Sequence, residues 1–332
     1  MIHVHLENYT SKPQVFWLTP ELLRATRRAH PASGVRFTLG NDLYRLKKQL
    51  ASATVLVTSS DVIRDPRFPR QDLRTAAPRL QFVHLIGAGV EGVLPLDWLP
   101  RGVHLTNNSG VHVDKAREFL LMALLALNAR LPAIVSNQRR SRWQQIFTPL
   151  IRGKTLTVIG LGDMGRAAVA AGRQLGLRVI GVRRSGRGVA GVERVYRPAQ
   201  LRAALRGADF AVIAAPLTKA SAGLVDRAAL SAMKPGAGLI NIGRAGVLDH
   251  RALTELLKTG RLGGAILDVF PTEPLPAASR LWSAPNLIVN PHVSSDDAAR
   301  YMLDTMGLVC RNIVRLRAGR RLDNIVQRQR GY

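Results

Sequence analysis

The stretch TLTVIGLGDMGRAAVAAGRQLG, residues 155–176, passes from an apolar, β-branched run through three glycines into a helical pattern. The hydrophobic period changes there from that of a buried strand to that of an amphipathic helix. Gly160 suits the tight turn, Gly162 a close backbone approach to a pyrophosphate, and Gly165 the packing of helix on strand. Asp163 and Met164 fall between them, at the start of a helix whose unpaired N–H groups favour a phosphate. A glycine triplet alone is weak evidence, but between a strand and a helix it predicts a dinucleotide site.

Working outward, IHVHL (2–6), VRFTL (35–39), ATVLVTS (53–59) and LQFVHLI (80–86) read as strands before this stretch. RVIGV (178–182), FAVIAA (210–215), GLINI (238–242), GAILDV (264–269) and LIVN (287–290) follow it. Helical patterns separate them. One is TPELLRATRRAH (19–30), with Thr19 placed to cap and Pro20 at the first helical position. Continuous apolar strands alternating with helices predict an α/β fold with parallel sheets covered on both faces. A helical pattern from Asp114 to Arg130 bridges two α/β units, and another from Asp296 to Leu316 follows the last strand. If that second helix returns to the first unit, a nucleotide-binding domain (104–293) is inserted into another domain (1–103 plus 294–332). Two such sheets form a cleft, the usual place for a small ligand.

Composition sets the class. The 332 residues are 46% hydrophobic and 21% charged, a globular balance. The longest apolar run, FLLMALLAL (119–127), is far short of the roughly 18 residues a membrane span needs. No basic segment followed by an apolar stretch and a small-residue cleavage site opens the chain. The single cysteine, Cys310, is expected to pack, and it excludes an internal disulfide, which points to a reducing, cytoplasmic compartment. The net charge of +26 raises nucleic acid as a partner. The arginines are scattered, however, apart from RRSR (139–142) and the tail from Arg311 to Arg330, and no recognition-helix or zinc-finger spacing accompanies them. Attraction of small anions is the simpler reading. No His/Cys/carboxylate spacing predicts a metal.

LINIGRAGVLDHRALTELLKTGRLGGAILDVFPTEPLP (239–276), PNLIVNPHVSS (285–295) and NNSGVHVDKAREFLLMALLAL (107–127) resemble the NAD(P)-dependent D-2-hydroxyacid dehydrogenases, most closely glyoxylate/hydroxypyruvate reductases. The likeness runs from about residue 80 to residue 317. It implies two Rossmann-like or flavodoxin-like domains, the cofactor domain inserted into the substrate domain, and a homodimer. It assigns Arg244 to the substrate carboxylate and carbonyl, a task suited to the planar donor fork of a guanidinium. It assigns His292 as acid/base, since an imidazole titrating near neutrality moves a proton in both directions. Glu273 is then the carboxylate that bonds this histidine, which fixes its tautomer and favours its charged form. Many relatives carry glycine where this chain has Ala245, a small local departure.

The resemblance also places Asp268 beside the nicotinamide amide, Ala215, Pro216 and Leu217 along the cofactor, and Ile242 and Gly243 near the nicotinamide ring, with Arg244 and His292 also touching it. Ala88 and Gly89, in LIGAGVEG (85–92), present backbone N–H groups to the substrate carboxylate. Trp143 is expected to be a packed aromatic, with approach to a partner subunit's site as the alternative. His84 and His112 are expected in core or surface roles. No serine or cysteine nucleophile sits in an elbow motif that would make His292 part of a hydrolase.

The cofactor is chosen by LRVIGVRRSG (177–186). NAD-binding sites of this kind end the strand after the glycine loop with an acid, roughly 20 residues on, which accepts from the ribose hydroxyls. Here Arg183, Arg184 and Ser185 occupy that place. A carboxylate repels a 2′-phosphate, whereas guanidinium groups and a hydroxyl bind one. NADP(H) is therefore expected, with NAD(H) as the alternative. The rival function is a dinucleotide-sensing transcriptional corepressor, resembling the C-terminal-binding proteins that share these motifs.

Overall fold

The computed structural model describes residues 1–9, 13–31 and 34–328. It divides into two units, Met1–His112 with Asp297–Tyr332, and Val113–Asp296. Both are parallel sheets flanked by helices, as the strand pattern predicts.

In the first unit the strands are β1 (Ile2–Glu7), β2 (Val35–Gly40), β3 (Val55–Thr58), β4 (Phe82–Leu85) and β5 (His104–Thr106), in spatial order β2-β1-β3-β4-β5. That is the doubly wound flavodoxin-like order, with its switch point between β1 and β3. Thr19 caps the helix Pro20–Ala29 by accepting from the Leu22 N–H, and Pro20 opens it. β5 escapes the sequence reading because its three residues, HLT, include an exposed histidine and show no apolar run. The face of β1 carrying His3, His5 and Glu7 is also unexpected. His5 bonds the buried Glu7 carboxylate at 2.8 Å, and both His5 and His3 bond the Thr38 hydroxyl on β2, at 2.9 and 2.6 Å.

His84, on β4, is fully buried, as a core role requires. Its Nδ1 lies 2.9 Å from the Thr106 hydroxyl and its Nε2 3.3 Å from Asn108 Oδ1, and burial pushes its pKa down to about 4. The folded chain thus refuses a proton that the unfolded chain accepts near pH 6.5. Stability contributed by the neutral ring is lost as pH falls from about 6.5 to about 4, at most about 3 kcal/mol. His84→Gln should flatten this part of the unfolding-free-energy profile in urea titrations at successive pH values. An unchanged slope in the variant would contradict the assignment.

The second unit holds β6 (Thr155–Ile159), β7 (Arg178–Val182), β8 (Arg194–Tyr196), β9 (Phe210–Ile213), β10 (Ala237–Asn241), β11 (Leu262–Leu267) and β12 (Leu287–Val289). Their order is β12-β11-β10-β9-β6-β7-β8, the Rossmann arrangement extended by one strand, with its switch point between β6 and β9. Apolar clusters cover both faces. β8 escapes the sequence reading for the same reason as β5: it is three residues long, at the sheet edge, and begins with an exposed arginine. The helix Val113–Asn128 buries Ala116, Leu120, Ala123, Leu124 and Leu127. Among the described residues no single helix is long and apolar enough to cross a membrane. Cys310, in the helix Tyr301–Arg317 of the first unit, is buried, and that burial raises its thiol to about 11.

Candidate active site

Because every strand of the second unit is parallel, all its strand ends converge on one edge, and the predicted cofactor and catalytic residues of this unit gather there. β6 is followed by Gly160, whose φ of +94° favours glycine and whose missing Cβ would lie 2.7 Å from the Ala215 backbone. A Cβ on Gly165 would meet the Gly160 carbonyl oxygen at 1.9 Å, so helix and loop pack as closely as the motif requires. Gly162 is different. It caps the helix Asp163–Gln174, yet apart from its own residue and chain neighbours no atom lies within 4 Å of the point its Cβ would occupy. Packing does not demand a glycine there. A phosphate lying against the helix N-terminus does, so the loop fits a dinucleotide. Asp163 and Met164 form the first turn and are half-buried.

β7 ends in the turn that decides the cofactor. The Arg183 N–H donates to Tyr196 O at 3.0 Å, the Gly186 N–H closes the turn onto Arg183 O, and Ser185 Oγ accepts from the Arg187 N–H. Arg183 is half-buried, Arg184 and Ser185 exposed, and residues 183–192 contain no acid. Arg197 runs beside this turn, its Cγ and Nε each 3.2 Å from the point a Gly186 Cβ would occupy. Arg197 carries no signal in the sequence, because it follows the three-residue strand β8.

Past β9, Ser221 bonds Pro216 O and the Thr218 N–H, holding the turn at 216–218. Ala215 is buried and Leu217 partly exposed. A Cβ on Gly243 would lie 2.8 Å from Ala215 O, so this loop and the one after β10 touch. Asn241, fully buried, accepts from the Gly243 N–H at 3.0 Å and donates to Arg244 O at 3.3 Å. This clamp spans the buried Ile242–Gly243 step and delivers Arg244, half-buried and extended, to the edge. Arg244 Nη1 donates to Gly243 O at 2.8 Å. Ala245 opens a 3₁₀ turn without a positive φ, so its methyl group strains nothing.

His292 stands past β12 with φ +55°, a left-handed conformation that non-glycine residues adopt only when their surroundings impose it. Its Nδ1 lies 2.6 Å from Glu273 Oε2, and Glu273 Oε1 accepts from the Phe270 N–H at 2.8 Å. The imidazole and carboxylate are both partly open to solvent. Asp268, at the end of β11 and buried, supplies the constraint. Its Oδ1 accepts from Asn290 Nδ2, the Val293 N–H and the Ser294 N–H at 2.5, 2.9 and 3.1 Å, and its Oδ2 from Ser294 Oγ at 2.5 Å. Four bonds therefore fasten the loop that carries His292. Asp296 is another group the sequence reading overlooks. Burial raises its carboxyl to about 6, against the opposing pull of His292 and with a smaller push from Asp268.

In the first unit the loop past β4 holds Ala88 and Gly89, both half-buried. Asn107 Nδ2 donates to Ala88 O at 2.7 Å, Asn108 Nδ2 to Ile86 O at 2.9 Å, and Tyr301 also donates to Ile86 O. With its carbonyls taken up in this way, the loop keeps the Ala88 and Gly89 N–H groups free of any hydrogen bond among the described residues. His112 is buried against the Tyr301 ring. One expectation fails outright. Trp143 is not packed: it is 94% exposed on a segment that also shows Phe147 and Leu150 to solvent.

A glycine-loop Rossmann sheet whose carboxyl edge also holds an arginine and a histidine–carboxylate pair defines a nicotinamide-nucleotide oxidoreductase. Residues 121–294 match the family described as D-isomer specific 2-hydroxyacid dehydrogenase, NAD binding domain. A glyoxylate reductase of Thermococcus gammatolerans is 32% identical over 76% of this chain and 78% of its own length. A glyoxylate/hydroxypyruvate reductase B of Pectobacterium carotovorum is 31% identical over 82% and 87%. Among solved structures, an NADPH-dependent glyoxylate/hydroxypyruvate reductase of Sinorhizobium meliloti, in complex with NADP and sulfate, superposes with a TM-score of 0.81. It is 28% identical, with all of both chains covered. A D-isomer specific 2-hydroxyacid dehydrogenase of Xanthobacter autotrophicus, in complex with NADPH and MES, gives the same TM-score at 27% identity, covering 99% of each chain. The chain belongs to the D-isomer specific 2-hydroxyacid dehydrogenase family, NAD(P)-dependent oxidoreductases acting on the CH–OH group of 2-hydroxy acids.

Proposed function

We propose that this protein is an NADP(H)-dependent 2-keto-acid reductase of the glyoxylate/hydroxypyruvate type. The observation that carries the reading is the His292–Glu273 pair, held in an imposed conformation on the same sheet edge as Arg244 and the glycine loop. Gly160, Gly162 and Gly165 would hold the pyrophosphate, and Arg183, Arg184 and Ser185 the 2′-phosphate. Arg197, beside that turn, adds positive charge. When bound, the reduced nicotinamide supplies the hydride. Arg244 grips the substrate carboxylate and polarises the carbonyl; in the first unit, the free N–H groups of Ala88 and Gly89 suit a carboxylate. His292 delivers a proton from Nε2 to the carbonyl oxygen while Glu273 holds Nδ1–H. The first unit is thereby the substrate-binding domain and the second the cofactor domain.

Asp268 is a positioning residue in this scheme, because its carboxylate is occupied by the loop at 290–294. Asp268→Asn replaces an acceptor oxygen with a donor facing donors, which costs on the order of 1–3 kcal/mol of loop order. The expected result is a fall in kcat of about ten-fold or more, with NADPH affinity changed far less. Equal losses in both would mean that Asp268 acts mainly on the cofactor.

The exposed apolar side chains of the second unit support a homodimer. Met122, Leu125, Leu131 and Ile134 join Trp143, Phe147 and Leu150 in being open to solvent, an unusual density for an uncovered surface. Trp143→Glu with Phe147→Glu should convert the dimer to monomer in sedimentation velocity. Unaltered sedimentation would remove this segment from the interface. Steady-state reduction of a panel of 2-keto acids tests the function itself, with glyoxylate and hydroxypyruvate expected among the best substrates.

A further inference from the structure

A cavity of about 460 Å³ opens on the first unit, built from the end of the helix Pro20–Ala29, from β2 and from the helix Tyr301–Arg317. None of its residues belongs to the proposed reaction site. Its size falls within the roughly 300–1,000 Å³ of small-ligand sites. Val35, Phe37, Ile313 and Val314 give it an apolar lining, and Val314 is 53% exposed there. Arg311, Arg315 and Arg320 add positive charge, and no lining residue is acidic.

One feature fits this chamber to an anion: its cations are unequally engaged. Arg315 is held by Asp323 at 3.0 Å and by Arg321 O, whereas the Arg311 and Arg320 guanidinium groups meet no acceptor among the described residues. Arg27 adds further charge, its guanidinium 5.7 Å from the centroid of the Phe37 ring. Uncommitted donors beside an apolar lining match a ligand with an acidic head and an apolar body.

We propose that this cavity binds a small amphipathic organic anion, an acid group carried on an aromatic or short acyl body, at a site separate from hydride transfer. The probe is 1-naphthoate, titrated calorimetrically into the NADPH-saturated protein at fixed ionic strength, beside its neutral isostere 1-naphthamide and inorganic phosphate. One saturable site per chain is expected, at least about ten-fold tighter for 1-naphthoate than for either control. Arg311→Ala and Arg320→Ala should each weaken it by about ten-fold. Val314→Trp, which fills the cavity without changing charge, should abolish it while keto-acid turnover persists as proof of folding. Arg244→Ala, in the proposed reaction site, should leave it unchanged. Binding that survives Val314→Trp, or is lost in Arg244→Ala, would place the probe at the substrate site and overturn the proposal. Equal binding of the neutral isostere, or no saturable binding, would overturn it as well.

Discussion

His292→Ala is expected to lower kcat for 2-keto-acid reduction by ~10²–10⁴-fold, the usual contribution of a positioned acid. The reason lies in how the side chain is held. Its Nδ1 is engaged by Glu273 at 2.6 Å, which leaves Nε2 as the atom able to give a proton to a carbonyl oxygen. Removing the ring leaves the glycine loop, the Arg244 clamp and the Asp268 network in place, so NADPH affinity and thermal stability should stay close to those of the unmodified protein. Arg244→Ala should differ in kind. It removes a grip on the substrate carboxylate, which raises KM, and a polarising contact on the carbonyl that strengthens in the transition state, which lowers kcat. Glu273→Gln keeps the size of the side chain but loses its charge, and should cost less than His292→Ala. Near-unaltered turnover in a folded His292→Ala protein would remove this residue from the chemistry.

Arg183→Asp is expected to reverse the cofactor preference. A charge-assisted hydrogen bond contributes roughly 1.5–3 kcal/mol, or about ten- to a hundred-fold in affinity. The turn at 183–186 holds two arginines and a serine with no acid in reach along the chain as far as residue 192. The substitution does more than delete a contact, because the new carboxylate repels a 2′-phosphate and accepts from free ribose hydroxyls. kcat/KM with NADPH should fall steeply while relative use of NADH rises. Arg197→Ala should weaken NADPH more mildly, since Arg183 and Arg184 remain. Both comparisons need a fixed ionic strength, because salt screens an exposed phosphate site. If Arg183→Asp leaves the ratio of the two efficiencies unchanged, these arginines only decorate a surface turn.

Much of this was readable before any coordinate. Ten strands announce themselves as apolar runs, because a parallel sheet covered on both faces needs side chains that avoid water on both sides. Gly160 and Gly165 are readable for a related reason: each sits where a backbone passes too close for a Cβ. The three-residue strands β5 and β8 are not readable, since so short a run at a sheet edge carries no period. Losing β8 also hides Arg197, which only the tertiary fold brings beside the phosphate turn. The role of Asp268 as anchor of the 290–294 loop depends on bonds spanning more than twenty residues, which no spacing rule foretells. The exposure of Trp143 misleads for a different reason. An aromatic among arginines looks like packing until its segment is seen to lie outside the core of its own unit.

Reduction of 2-keto acids with NADPH is decided by steady-state kinetics of the purified protein with glyoxylate and each nicotinamide cofactor. Saturable, glyoxylate-dependent oxidation of NADPH is expected, with kcat/KM for NADPH exceeding that for NADH by roughly ten- to a hundred-fold. Tight binding of NADPH with no keto-acid-dependent oxidation across the panel would rule out a reductase and favour a nucleotide sensor. A preference for NADH would mean that the arginine turn does not hold a 2′-phosphate.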